Sequence, residues 1–172
     1  LAGETLATML GDVALGDPAR RRAIELAVIG LARFHALGLT HGDAMAENVM
    51  VDLEAGVAHW FDFETIHESR RPVSWRRADD VRALLATCVV RTVPEKIAET
   101  VKLVLEGYGD ESIVDSLAPS FTAVLRRPLA FHLGQAPLPL RSFREIARLV
   151  TAFGSSQPRG DEDRRDRYDA DR

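Results

Sequence analysis

The chain has 172 residues, of which 46% are hydrophobic and 28% are charged, and its formal net charge is −4. This length and composition fit one globular domain with a sizeable core, and a pI near 5.7 argues against a global nucleic-acid-binding surface. No apolar run reaches the roughly eighteen residues of a membrane-spanning helix, so no such helix is expected.

The N-terminal part of the chain is predicted to be helical. Residues 3–11 are predicted to form a short apolar helix, which is entered from a glycine-containing linker. A longer helix is predicted to begin with Asp17 as its N-cap and Pro18 in the first helical position, and Gly38 is predicted to stop it. Its buried face is expected to carry residues at helical spacing, namely Ile24, Ala27, Val28, Leu31, Ala32 and His35.

A β-hairpin is predicted to follow. Residues 48–52 (NVMVD) and 57–61 (VAHWF) have the composition of strands, and the turn residues 54–56 (EAG) lie between them. The return strand is interpreted as a buried strand that carries an acid, Asp62, at its end. A polar connection that contains several arginines then extends to Ala78.

The next helix is expected to open at Asp79 and Asp80, and its apolar stripe is expected to end at Cys88, the single cysteine of the chain. A lone cysteine in such a stripe is typical of a packed core. It excludes a disulfide framework and favours the reducing cytoplasm as the location of the protein.

Three more helices are predicted in the C-terminal half. One extends from Pro94 to about residue 107, and a second covers residues 111–126 with a break or kink at Pro119. The last covers residues 142–153, where a serine and a glutamate have the spacing of a capping box.

These predictions describe an α+β, mostly helical fold with one small β-hairpin. Residues 1–153 are assigned to a single domain. Residues 154–172 carry mixed charge and few apolar side chains, which is typical of a disordered tail. Because the sequence begins with Leu1 rather than methionine, it is expected to be part of a longer chain.

The most informative motif is His41-Gly42-Asp43, which Asn48 follows within the same loop and Asp62 follows after the hairpin. A phosphoryl-transfer site needs one carboxylate that accepts a hydroxyl proton, together with an amide and a second carboxylate that hold a metal ion. Oxygen ligands of this kind suit Mg²⁺ or Mn²⁺ rather than zinc. Because all three side chains adjoin predicted strand ends, they are expected to face one cavity.

Each of these residues also has a simpler explanation. Asp43 and Asn48 are common turn residues, and Asp62 alone could be a surface acid at a strand end. Their order, their spacing and the intervening hairpin favour the functional interpretation. A helical domain with a chance motif is one alternative, and it predicts that the three side chains lie far apart.

The stretch H-G-D-x-x-x-x-N, followed by hydrophobic residues and then D-F-E, resembles the catalytic loop and metal-binding segment of the protein kinase-like superfamily. The resemblance covers residues 31–64 directly, and the helix order as far as Cys88 supports it. It implies the fold of a kinase-like C-terminal lobe. It also implies that the protein transfers the γ-phosphoryl group of ATP to a hydroxyl acceptor, with Mg²⁺ or Mn²⁺ as cofactor.

The same resemblance implies a role for each residue of the motif. Asp43 is the catalytic base, and Asn48 and Asp62 bind the metal ion and, through it, the phosphates of ATP. His41 braces the loop. Asp80, with Asp79 as the alternative, anchors the loop through backbone N–H groups.

The departures from the family pattern narrow the substrate class. Gly42 stands where regulated protein kinases carry arginine, so control by a phosphorylated activation loop is not expected. Glu64 replaces the usual glycine, the connection to Asp80 is short, and no A-P-E signature follows. In these features the sequence resembles the choline kinase, aminoglycoside phosphotransferase and lipopolysaccharide kinase families. They favour a small-molecule, lipid or glycan acceptor over a regulated protein substrate.

No glycine-rich loop and no V-A-I-K strand precede the motif in this sequence. In the kinase-like family those parts form the N-terminal lobe that covers ATP, so the chain resembles the C-terminal lobe alone. The missing N-terminal lobe is expected in cis or in trans. The alternative is a catalytically inactive binding or scaffold module.

Two other groups of residues are candidates for chemistry. Zinc is not expected, because the histidines of the chain (His35, His41, His59 and His67 among them) lack zinc-site spacing. A basic cluster surrounds Trp75 and consists of Arg70, Arg71, Arg76 and Arg77. It is either a solvated loop or a surface that holds a phosphate-bearing or acidic substrate.

Overall fold

Helices dominate the fold, as the hydrophobic spacing predicted. A computed structural model describes residues 3–65, 67–110, 112–125 and 140–156, and over these residues the chain is α+β and mostly helical. The elements in chain order are β1 (Glu4–Thr5), α1 (Leu6–Gly11), α2 (Asp17–Ala36), a 3₁₀ turn (Ala46–Asn48), β2 (Val49–Asp52), β3 (Val57–Trp60), α3 (Val73–Val89), a second 3₁₀ turn (Pro94–Lys96), α4 (Ile97–Tyr108), α5 (Ser112–Leu125) and a last described helix (Leu140–Ser156).

The predicted hairpin is confirmed, and it belongs to a three-stranded antiparallel sheet in the order β1-β2-β3. In the hairpin Val49 pairs with Trp60 and Asp52 pairs with Val57. The prediction of a helix over all of residues 3–11 was wrong, because Glu4–Thr5 pairs with the other edge of β2 and α1 begins only at Leu6. The apolar pattern of α1 masked this strand, which is too short to show an alternation of its own.

The return strand β3 is not buried, contrary to the prediction. Its residues alternate between exposed and half-buried, whereas those of β2 alternate between buried and half-buried. Trp60 lies against α2, where its indole N–H donates a 3.3 Å hydrogen bond to the Ala27 carbonyl. Gly30 permits this contact, since a Cβ there would lie 3.3 Å from the indole nitrogen.

Helix α2 begins and ends close to the predicted residues. Gly16 rather than Asp17 is the N-cap, so Asp17 lies in the first turn, where its charge opposes the positive end of the helix dipole. The Lys96 ammonium pairs with Asp17, and this hydrogen bond and charge hold the pKa of that carboxyl below its usual value. Leu37 caps the C-terminus, and Gly38 follows with φ +81°, a left-handed conformation that favours glycine.

Helix α3 begins at Val73, six residues before the predicted start at Asp79 and Asp80. The two acids therefore lie inside the helix, and the acidic start signal was misleading because both side chains have tertiary partners. Cys88 is fully buried in α3, as predicted. Burial raises the pKa of its thiol to about 12, which fits a packed and unreactive side chain.

The C-terminal helices differ from prediction at their ends. Helix α4 ends one residue later than predicted, where Gly109 takes a left-handed conformation with φ +73°. The prediction for Pro119 was a break or a kink; helix α5 is continuous through this residue, so there is no break. Pro119 and Asp115, the residue one turn before it, are exposed. Because proline has no N–H group, the Asp115 carbonyl lacks its helical partner, and its exposure allows water to bind it instead.

The last described helix extends over Leu140–Ser156, so Ser142 lies inside it and the predicted capping box was wrong. The helix also includes the first residues that were assigned to the charged tail, and residues 157–172 lie outside the described part. Within the described residues, no helix combines the length and the apolar composition that crossing a membrane requires.

Candidate functional site

The loop between α2 and β2 brings two of the predicted site residues into direct contact. The Asn48 side-chain nitrogen donates to Oδ2 of Asp43 at 3.0 Å and to the Asp43 carbonyl at 2.9 Å. Asn48 is only 7% exposed, whereas Asp43 is half-buried. Because both amide hydrogens are used by Asp43, the amide oxygen of Asn48 points away from Asp43 and is available to another partner.

Asp62 lies beyond the end of β3, next to a residue that touches the loop. The Phe61 N–H donates to the Asn48 carbonyl at 3.1 Å, and Asp62 is the next residue. Its side chain is exposed and forms no hydrogen bond or ion pair with the described residues. Asp62 is also the one non-glycine residue of the described chain with a positive φ, at 65°. Such a conformation costs about 1–2 kcal/mol outside glycine, and it often marks a functional position.

His41 links the Asp43 loop to the strand that precedes Asp62. Its Nε2–H donates to the Phe61 carbonyl at 2.9 Å, and its Nδ1 accepts the Asp43 N–H at 3.3 Å. The ring is 1% exposed and lies 4.7 Å from the ring of Phe63. These two bonds require the neutral Nε2–H form of the imidazole, because only that form donates to Phe61 and accepts from Asp43.

Asp80 is the buried acceptor beneath this loop. Its carboxylate accepts the His41 N–H at 2.7 Å and the Gly42 N–H at 2.8 Å. The residue is 1% exposed. A buried carboxylate is costly unless its oxygens are hydrogen-bonded. The backbone of the loop supplies those bonds and is thereby fixed to α3.

Asp79, the alternative anchor, accepts no hydrogen bond from the loop backbone among the described residues. It pairs with Arg82 and lies 3.3 Å from the His67 ring. Burial alone would raise the pKa of Asp79, but the hydrogen bond from His67 and the charge of Arg82 outweigh it. The pKa of Asp79 therefore lies below its usual value.

His35 and Tyr108 complete the network below the loop. His35 Nε2 lies 3.0 Å from the Asp80 carboxylate, and its Nδ1 lies 2.7 Å from the Tyr108 hydroxyl. Burial raises the pKa of the Tyr108 phenol to about 12, so the phenol stays protonated and can donate to the imidazole. The sequence pattern showed His35 as one residue of an apolar helix face. A histidine among aliphatic residues was the one signal that could have indicated a polar partner.

Gly42 is required by a close backbone contact. Its φ is +87°, and a Cβ at this position would lie 2.4 Å from the carbonyl oxygen of Thr65. The segment that follows Asp62 therefore folds directly across the loop. A side chain at this position would overlap the Thr65 backbone unless that backbone moved, so glycine rather than arginine suits it.

The set of oxygen ligands is small. Among the described residues, no group of three or more histidine, cysteine or acidic side chains could hold a metal ion. An amide oxygen and a carboxylate are ligand types that Mg²⁺ accepts together with water and phosphate oxygens. Among the described residues, no hydrogen bond joins the side chain of Asn48 to that of Asp62; the link between the two positions is the backbone bond from Phe61 to Asn48.

Comparison of the chain with models of protein families, with curated proteins and with solved structures found no match.

Proposed function

We propose that this chain is the C-terminal lobe of a kinase-like phosphotransferase. It transfers the γ-phosphoryl group of ATP to a hydroxyl group, and its acceptor is a small molecule, a lipid or a glycan rather than a regulated protein. The single observation that carries the proposal is the contact between Asp43 and Asn48, on a loop that His41 ties to the residue before Asp62.

This geometry suits Asp43 as the proton acceptor. The Asn48 amide holds one carboxylate oxygen of Asp43 at 3.0 Å, so the other oxygen is left for the acceptor hydroxyl. The acceptor oxygen forms a bond to the γ-phosphorus, and the bond from that phosphorus to the β–γ bridging oxygen breaks. The hydroxyl proton passes to Asp43, and ADP leaves with the bond electrons.

The chemistry of the two proposed metal ligands fits Mg²⁺ or Mn²⁺. Asn48 offers a nearly buried amide oxygen, and Asp62 offers an exposed carboxylate without a partner among the described residues. When bound, the metal ion would neutralise charge on the phosphates of ATP. Asn48 and Asp62 would hold the metal ion, and Asp43 would remain free to accept the hydroxyl proton.

The proposal includes three further expectations. ATP binds between this chain and an N-terminal lobe that is supplied in cis or in trans, and the protein acts in the cytoplasm. The segment between Asp62 and α3 is short and its Thr65 backbone lies against Gly42, so a long phosphorylated activation loop is not expected.

The test is ADP formation by the full-length protein with ATP, Mg²⁺ and a panel of sugars, amino alcohols and lipid headgroup alcohols. Asp43→Asn is expected to reduce the rate by about 100-fold or more, because it removes the base, while leaving ATP binding unchanged. A scaffold module predicts the opposite result, namely equal behaviour of the wild type and Asp43→Asn in every assay.

A second measurement does not depend on the acceptor. Binding of Mn²⁺–ATP, followed by electron paramagnetic resonance, is expected to weaken by about tenfold in Asp62→Asn. Asp52→Asn is the matched control, since Asp52 ends the other strand of the same hairpin and accepts only the Ala55 N–H, at 2.8 Å, among the described residues. Equal binding by both variants would remove Asp62 from the metal site.

A further inference from the structure

We propose that residues 68–77 (ESRRPVSWRR) form a binding surface for a phosphate group, and that the phosphoryl acceptor is therefore a phosphate-bearing alcohol. The second part of this inference rests on the proposed function. The segment contains four arginines and one acid, although the whole chain carries a net charge of −4. A positive surface in an acidic protein suits an anionic ligand.

The arginines of this surface are incompletely neutralised by the fold. Arg70 and Arg76 form no hydrogen bond or ion pair through their side chains with the described residues, and the Nε of Arg76 is buried without an acceptor. Arg71 lies 3.8 Å from the carboxylate of Glu68, but the Glu68 side chain is 78% exposed. Such an exposed pair contributes little. The guanidinium groups of Arg70, Arg71 and Arg76 are thus available for an external anion, whereas Arg77 donates to a backbone carbonyl of α2.

The start of helix α3 adds to this positive field. Pro72 is its N-cap and supplies no side-chain hydrogen bond, so N–H groups of the first turn are open to a ligand. The helix has 17 residues, and the positive end of its dipole lies within the arginine segment. Phosphate suits this combination, because its oxygens accept from both guanidinium and helix N–H groups.

The surface is continuous with the loop that carries Asp43. The Arg71 guanidinium lies 4.9 Å from the centre of the Trp75 ring, and that ring lies edge-on to His67 at 6.1 Å. His67 in turn lies 3.2 Å from the Thr40 hydroxyl, beside the His41-Gly42-Asp43 motif. These contacts join the arginine segment to Thr40, next to the motif, so the proposal places the phosphate of the acceptor at the arginines and its hydroxyl group toward Asp43.

The test is a titration of the 172-residue chain with glycerol 1-phosphate at constant ionic strength, followed by tryptophan fluorescence. Trp75 reports on the surface because Arg71 lies over its ring, and Trp75→Phe removes the contribution of this residue. We expect a saturable change with glycerol 1-phosphate and none with glycerol. Arg76→Gln is expected to weaken binding by about tenfold or more, since one charge-assisted contact is lost.

Arg148→Gln is the matched control, because Arg148 is an exposed arginine on the helix Leu140–Ser156. Unchanged binding is expected for it. The inference is overturned if Arg76→Gln and Arg148→Gln bind alike, if glycerol gives the same change, or if the signal fails to saturate.

The same experiment separates this inference from the proposed function. Saturable binding without any phosphoryl transfer by the full-length protein would refute the enzyme and leave the phosphate surface standing. Transfer to neutral alcohols, without phosphate binding, would refute the surface alone.

Discussion

Substitution of Gly42 by alanine tests whether the segment after Asp62 is packed on the candidate loop. Gly42 has φ +87°, and the new Cβ would lie 2.4 Å from the Thr65 carbonyl oxygen and 2.9 Å from its carbon. The left-handed conformation costs about 1–2 kcal/mol for a residue with a Cβ. Displacement of the Thr65 backbone adds the cost of overpacking, about 1–3 kcal/mol. The free energy of unfolding should therefore fall by about 2–5 kcal/mol in total.

Gly38→Ala is the matched control for this prediction. Gly38 has nearly the same φ, +81°, but no atom lies within 4 Å of the position that a Cβ would occupy. The free energy of unfolding of Gly38→Ala should fall only by the cost of the left-handed conformation, about 1–2 kcal/mol. Urea unfolding followed by circular dichroism measures both losses, provided that the m-value is unchanged. Equal losses in the two variants would refute the close contact between Gly42 and Thr65.

Three further predictions concern polar side chains that lie below and beside the loop. Asp80→Asn should lower the free energy of unfolding in urea by about 2–4 kcal/mol, because an amide cannot accept all the N–H groups that face the carboxylate. A loss of stability no larger than that of Asp79→Asn would contradict the anchoring role of Asp80. Tyr108→Phe should cost about 1–2 kcal/mol in the same assay, since it removes the hydroxyl 2.7 Å from His35, and no loss would show that this hydrogen bond is unimportant. The pKa of Asp79 is lower in the folded state than its ordinary value of 3.8, so its contribution to stability is complete above pH 3.8 and is lost as the pH falls through the lower folded pKa. Asp79→Asn should therefore lose less stability than the wild type over this acid range. Identical acid-unfolding profiles of the two proteins would refute this role of Asp79.

Local patterns were sufficient for the elements that depend on short-range physics. The apolar spacing in α2, its proline near the start and its glycine after the end predicted a helix that the structure confirms within a residue or two. Strand composition around a glycine-containing turn predicted the hairpin. These signals are reliable because the periodicity of a helix or a strand can be recognised within a short run of consecutive residues.

Packing between distant elements determined what local patterns could not. The strand Glu4–Thr5 exists because β2 offers it an edge, and α3 extends back to Val73 although its acids resemble a helix start. The sequence shows that Asp43, Asn48 and Asp62 follow one another in this order, but their positions in space depend on a network of buried hydrogen bonds. That network joins Asp80 to the His41 and Gly42 N–H groups across nearly forty positions of the chain, and no pattern of neighbouring residues encodes a pairing at that separation.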